Sequence, residues 1–300
     1  MNLRDLHYFV VLAELKHFGE AAKRCHVSQP TLSMQIKKLE EELGLLLFER
    51  NNKQVILTDA AKILVTQAQL ILVQVAEMKE FARAAADPYA GELRIGLIPT
   101  LAPYLLPLIM QEIQSTFPKL QIWLYEDKTH RLIEKLTSGQ IDGALMAIPI
   151  EGEFKSQVLF EEPFYYAAAQ ANSLRTKKEL KISELANQPV MLLEEGHCLR
   201  EQAMAVCQLA KVDVAADFTA TSLETLRWMV QAGMGVTLLP ALAIGETNQN
   251  DLLILPFVKP APSRTIALFW RSLSAKQLCL EALARLISSI VEPKLQSMKI

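Results

Sequence analysis

The sequence predicts an α/β protein in three parts: an N-terminal winged helix-turn-helix, a long linker helix, and a two-subdomain region of alternating strands and helices. Three observations carry this. Residues 1–58 hold short amphipathic helical patterns and then a basic hairpin pattern. The run from Thr58 to about Ala86 contains neither Gly nor Pro. From Glu92 onward, short apolar runs alternate with helical segments.

Composition bounds the function. With 300 residues, 51% hydrophobic and 21% charged, the chain reads as globular, with core enough for two or three domains. Its formal net charge is −2, so any binding to nucleic acid must come from a local basic patch. Four irregularly spaced cysteines do not form a secreted disulfide framework. The opening MNLRDLHYFVVLAELKHF carries charges through its apolar run and no cleavage signature, so a signal peptide is not expected. No apolar stretch is read as reaching the roughly 18 residues of a membrane span. The expected compartment is the cytoplasm, where a disulfide would be a signal or a catalytic intermediate.

Leu3, Leu6, Phe9, Val10 and Ala13 recur at helical spacing, and a second short helix falls near Gly19 to Arg24. Ser28 is placed to cap a third helix with Pro30 in its first turn, where a missing N–H does no harm. Its stripe is Ile36, Leu39 and Leu43, and it stops near Gly44. Gln29, Thr31, Ser33 and Gln35 lie toward its N-terminal end, with Lys37 a turn on. That suits a recognition helix meeting base edges. The segment from Phe48 to Thr58 reads as a wing whose Arg50 and Lys53 would contact phosphate or the minor groove.

Thr58 can cap the linker helix, placed at 59–87. Within it Leu64, Ala68, Ile71, Val75, Met78, Ala82 and Ala85 form a heptad seam, which predicts pairing with a second copy. Asp87-Pro88 breaks the helix, and 88–91 is expected to be a hinge. In the region 92–300, strands are expected at 93–99, 120–126, 143–149, 190–195, 236–240 and 265–270, with helices between them and after Ser274. The first subdomain is expected at about 92–162 and 268–300, the second at about 163–267. Ligands in such folds bind beyond the carboxyl ends of strands. Thr100, the Thr129-His130 pair and Gly196-His197-Cys198 follow three strand ends and are expected to converge.

Cys198 and Cys207 lie nine positions apart in a segment of helix-favouring composition. On one helix the two thiols would sit about 13 Å apart along the axis, on roughly opposite faces. A disulfide needs Cα atoms within about 7 Å, so the pair cannot close while the segment stays helical. Free N–H groups of the first turn, Arg200 and an imidazolium at His197 would favour a thiolate at Cys198. Two buried structural cysteines fit the same residues. A zinc site using Cys198, Cys207 and His197 lacks the close Cys pairs of structural zinc sites, and no metal or cofactor is expected. Cys25 and Cys279 read as core residues.

The run AAKRCHVSQPTLSMQIKKLEEELGLLLFER followed by LT resembles the DNA-binding domain of LysR-type transcriptional regulators. The remainder is similar to that family's effector domain, a pair of periplasmic-binding-protein-like subdomains. GLIPT with PYLLP, TFPKL, the Thr-His pair, GHCLREQAM with a second cysteine, and ATSLETLRWMVQAGMGVTLLPAL resemble its peroxide-sensing members. That resemblance implies Cys198 as peroxidatic thiol and Cys207 as resolving thiol, with Thr100, Thr129, Gly196 and His197 lining a peroxide pocket. It adds Arg264 as electrostatic support beside Arg200 and His130. It further implies promoter DNA, a homodimer through the linker helix assembling to a homotetramer, RNA polymerase, hydrogen peroxide as signal, and a thiol reductant such as glutaredoxin or thioredoxin. Two other readings stand at this point: a LysR-type regulator gated by a small organic ligand with structural cysteines, and a thiol peroxidase with an appended DNA-binding domain. The chain shows no docking motif for a reductase, so an enzyme is not expected.

Overall fold

The computed structural model describes residues 1–51, 54–212, 214–244 and 252–298. The chain divides into two compact units, residues 1–83 and 84–300.

The first unit runs α1 (Leu3–Leu15), α2 (Phe18–Arg24), α3 (Gln29–Leu43), the hairpin β1 (Phe48–Asn51) and β2 (Gln54–Leu57), then α4 (Asp59–Ala84). Asn2 caps α1 by accepting from the Arg4 and Asp5 amides, and Asp5 accepts in return from the Asn2 amide at 2.9 Å. This reciprocal pair satisfies donors the helix cannot. Ser28 caps α3, and Gly44 ends it at φ +70°, a conformation glycine adopts without cost. Glu40 is buried and accepts from the amides of Leu47 and Phe48 at 2.9 and 3.2 Å, which fixes where the wing begins. Phe9, Leu12, Leu32, Ile36 and Leu39 make the core.

Thr58 caps α4, accepting from the Ala61 amide at 3.1 Å and donating to Leu46 O at 2.9 Å. The predicted heptad seam does not survive intact. Ala68 is buried and Leu64 packs with it in this unit's own core, whereas Ile71 and Met78 stay exposed. A helix leaving the wing must first cover its own domain, so its early turns are spent there. Ile63, Leu70 and Phe81 are exposed as well. The expectation that no stretch has the length and hydropathy of a membrane span is also corrected: α4, with 26 residues and an 18-residue window of mean hydropathy 1.2, meets that test.

The second unit holds β3 (Gly91–Leu97), α5 (Ala102–Thr116), β4 (Leu120–Glu126), α6 (Thr129–Thr137), β5 (Gly143–Ala147), β6 (Phe154–Ala169) and β7 (Val190–Leu193). There follow α7 (Cys198–Ala210), β8 (Val214–Ala220), α8 (Leu223–Gln231), β9 (Thr237–Pro240), α9 (Ala241–Ile244), β10 (Leu252–Pro256), β11 (Ser263–Arg271) and α10 (Gln277–Ser297). Strands β5, β3 and β4 are parallel, and β11 joins them antiparallel to the first half of β6. The second half of β6 pairs with β9 and β10, while β7 and β8 pair parallel and a bridge from Val190 to Val236 joins β7 to the start of β9. One 16-residue strand thus serves two subdomains, each with its own apolar core. The return to the first core comes with Ser263 at the start of β11, ahead of the expected 268, because Ile266 and Ala267 already pack there. The 87–90 turn is held to this unit: Asp87 accepts from Lys119 at 3.0 Å, and the Tyr89 ring stacks on Phe117 at 5.5 Å.

Replacing Thr58 with Ala removes one cap and one tether, and is expected to cost the full-length protein roughly 1–2 kcal/mol in urea unfolding.

Candidate functional site

Strand β7 is followed by a turn in which Gly196 adopts φ +89°. The backbone conformation favours glycine, and a Cβ there would lie 3.1 Å from Lys128 Cδ, close enough to push that side chain aside. His197 then sits at the N-cap of α7 in extended conformation, and Cys198 is its first residue. Opposite, Lys128 takes the N-cap of α6 and Thr129 is that helix's first residue. The strand ends meet at Cys198, which is faced by the Thr129 hydroxyl and by the charge of Arg264 of β11, whose Nη1 donates to Thr100 Oγ1 at 3.0 Å and whose Nη2 donates to Thr100 O at 3.1 Å. Its Nε donates to Glu162 Oε2 at 2.8 Å, both side chains being 0% exposed, and Glu162 Oε1 accepts from the Leu242 amide at 2.7 Å.

Cys198 is partly exposed as a residue, yet burial is the largest influence on its thiol and pushes its pKa up. The Arg264 charge, the Thr129 hydroxyl and the Leu199 amide act the other way and do not overcome it. The expected stabilisation by Arg200 and His197 is absent. Arg200 turns back to donate to Leu193 O at 2.6 Å. His197 is buried, and desolvation, followed by the Lys128 charge, lowers its pKa, so no imidazolium stands beside the thiol at neutral pH. Among the described residues its Nε2 finds no hydrogen-bond partner and lies 3.9 Å from Glu194 Oε1; the Thr129 hydroxyl is likewise buried and faces the Cys198 thiol. An imidazole nitrogen without a partner next to Cys198 in sequence, and a hydroxyl that faces the thiol from α6, leave bonds for a small polar ligand to take. His130 is exposed, with its Cε1 3.8 Å from where a Gly196 Cβ would be.

Cys207 is buried in the second subdomain's core, and Cys198 packs against the first. All four cysteines are free. The two thiols therefore stand at opposite ends of α7 and in different cores. Among the described residues no group of three His, Cys, Asp or Glu side chains could hold a metal ion.

In the first unit Ser28 Oγ accepts from the Thr31 amide at 3.3 Å and bonds the Thr31 hydroxyl at 2.7 Å. Gln29 and Pro30 are exposed, Ser33 and Gln35 half-buried, and Lys37 is exposed with Glu41 at 3.6 Å. Lys53 and the Arg50 side chain lie outside the described residues. Sequence reasoning missed Glu162, the partner that holds Arg264, and Lys128. Glu162 carried a faint signal: an acid just ahead of the apolar run at 164–169 that ends its strand.

Residues 3–62 match the model of the bacterial regulatory helix-turn-helix protein, lysR family, and residues 86–290 match the LysR substrate binding domain. The chain belongs to the LysR family. Among its relatives, the hydrogen peroxide-inducible genes activator of Pectobacterium carotovorum is 49% identical over 273 residues, 90% of each chain. The DNA-binding transcriptional dual regulator OxyR of Escherichia coli is 47% identical over 289 residues, 96% of this chain and 95% of that one. A full-length OxyR variant from Pseudomonas aeruginosa has a TM-score of 0.79 at 37% identity, covering 96% of this chain and 94% of that one. A hydrogen-peroxide-bound OxyR mutant from Corynebacterium glutamicum has a TM-score of 0.68 at 32% identity, covering 98% and 94%. Membership of the LysR family makes the chain a transcription regulator and not an enzyme.

In this LysR-family protein Glu162→Ala would leave Arg264 without its carboxylate and the Leu242 amide without its acceptor. Loss of one partner of a buried pair is expected to cost roughly 3–5 kcal/mol in equilibrium unfolding.

Proposed function

We propose that the chain is a peroxide-sensing LysR-type regulator in which Cys198 is oxidised by hydrogen peroxide and then pairs with Cys207. The observation that carries this is the Cys198 thiol at the first turn of α7, faced by the Thr129 hydroxyl and the Arg264 charge, with a second thiol on the same helix. The names of its relatives and of the peroxide-bound neighbour support the oxidant.

The Cys198 thiolate attacks one peroxide oxygen, the O–O bond breaks, and the departing hydroxide takes a proton to leave as water. The sulfur is now a sulfenic acid. Arg264 and Thr129 stabilise charge at the sulfur; Thr100, fixed by Arg264, and the neutral His197 line the pocket and hold the peroxide. The polar sulfenic acid no longer suits its place at the edge of an apolar core, so the first turns of α7 unwind. Cys207 sulfur then attacks the sulfenic sulfur, water leaves, and the disulfide holds the refolded segment. A cellular thiol reductant such as glutaredoxin or thioredoxin reverses it. The change passes to α3, whose exposed Gln29, Pro30 and Lys37 meet promoter DNA, through a dimer paired on the outer face of α4 and a homotetramer of two such dimers. RNA polymerase is the downstream partner, and the cytoplasm is the compartment.

Ligand gating with structural cysteines draws support from one observation, the burial that keeps both thiols protonated. Thiol counting separates the readings: peroxide should lower four free thiols to two, and a Cys207→Ser variant should stop at sulfenic acid. Four thiols surviving peroxide would exclude the switch.

Because the Cys198 pKa lies above the ordinary 9.0, the reactive thiolate is the minor form at neutral pH. The rate of peroxide reaction is expected to rise about tenfold per pH unit from 7 and still to be rising at 9, as stopped-flow mixing would measure. Thr129→Val removes a hydrogen bond to the charged form and is expected to slow the reaction about tenfold or more at pH 7.

A further inference from the structure

Lys128 was not among the residues singled out from the sequence, yet it touches both walls of the Cys198 site. From the N-cap of α6, next to Thr129, its Nζ donates to Glu194 Oε1 at 2.5 Å and to Glu195 O at 3.1 Å. Those two acceptors belong to the turn that delivers Gly196, His197 and Cys198. The lysine stem lies close against Gly196, its Cδ 3.1 Å from where a Cβ would stand. Glu194 Oε1, the atom that takes the ammonium, is also 3.9 Å from His197 Nε2. One side chain thus links the helix carrying the Thr129 hydroxyl to the loop carrying the thiol.

We propose that Lys128 is a positioning residue that staples these two walls together in the dithiol form and so sets the balance between dithiol and disulfide. This rests on the pairing of Cys198 with Cys207. The bonds of Lys128 belong to the helical arrangement alone. For Cys198 to reach Cys207 it must leave the first turn of α7, and residues 194–197 are drawn with it. Each bond lost in that movement favours the dithiol. The ion pair is partly open to water, 30% and 36% exposed, so its effect is modest and screened by salt.

The test is a redox titration of the full-length protein against a dithiothreitol couple, with thiols counted by alkylation and mass spectrometry. Lys128→Met is expected to shift the equilibrium about three- to tenfold toward the disulfide, tenfold being about 30 mV more negative for a two-electron couple. Raising salt should move the wild-type protein the same way and leave Lys128→Met nearly unmoved. Lys128→Arg should restore most of the wild-type value. Glu194→Gln, altered on the opposite wall, should shift the balance in the same direction, and the double variant should shift it no further than Lys128→Met alone. A lysine that merely supports the fold would lower stability without giving this salt response or this non-additivity. If the wild-type protein titrates normally while Lys128→Met keeps its potential and salt response, or if the two substitutions add, the staple is overturned. If the wild-type protein forms no disulfide between Cys198 and Cys207 at all, the underlying switch has failed instead.

Discussion

The site depends on a charge that the protein has gone to some length to bury. Arg264 and Glu162 are both withdrawn from water, and removing two ions from solvent costs more than their attraction returns unless the remaining donors and acceptors are satisfied. Here they are: Thr100 takes two of the guanidinium's donors, and the Leu242 amide gives to the carboxylate's second oxygen. The pair lies at facing register positions of β6 and β11, at the point where β6 passes from one sheet to the other. It therefore links the turn after β3, the crossing strands and the start of α9. A fixed positive charge results at the mouth of α7, with an orientation that no exposed arginine could keep.

Helix α7 sits between two demands. Its inner face, Leu199, Ala203, Val206, Cys207 and Ala210, is buried in the second core, while its first residue reaches the first core. Apolar burial of the inner face, at roughly 25 cal/mol per Å², keeps the helix wound and the sulfurs apart. Oxidation at Cys198 changes only one end of this balance. A sulfenic acid is polar and hydrogen-bonding where a thiol was tolerated, so in the proposed switch the cost falls on the first turn. The rest of the helix resists until the second sulfur offers a covalent bond. In the proposed switch, the helix is stable enough to keep the thiols separate and short enough to be undone from one end.

Much of this fold was legible because periodicity is local. The capping residues Ser28 and Thr58, the breaks at Gly44 and Asp87, and the alternation of strand and helix after residue 91 follow from near neighbours in sequence. That Thr100 and Thr129 fall at neighbouring ends followed from the rule that strand ends share one edge of a parallel sheet, whereas Cys198 follows β7 in a separate sheet and reaches them from the other subdomain. What sequence could not supply was any quantity set by partners far along the chain. Glu162 meets Arg264 across 102 positions, so neither burial nor register could be read from either segment alone. Arg200 stands near Cys198 in sequence but spends its charge on a carbonyl of β7, and His197 is neutral because of its burial and Lys128, which lies on a different helix. The heptad on α4 was a true apolar pattern with the wrong audience for its first turns: Leu64 and Ala68 answer to the winged domain.

The raised pKa of Cys198 bears on how such a site could choose peroxide over other electrophiles. Thiolate abundance makes a cysteine reactive toward everything, and here abundance is low. A thiol that is mostly protonated must gain its rate in the transition state, where negative charge moves from sulfur to the departing oxygen. Donors fixed before the reaction, and aimed at where charge develops, act there at no cost in reorganisation. In the proposed switch Arg264 supplies the fixed charge, its orientation held by Glu162 and Thr100 and not by the substrate. Only a reactant small enough to bring both oxygens within reach of the sulfur and these donors gains from them. In that proposed switch, burial of the thiol and burial of the arginine serve one end, suppressing the general reaction while assisting the specific one.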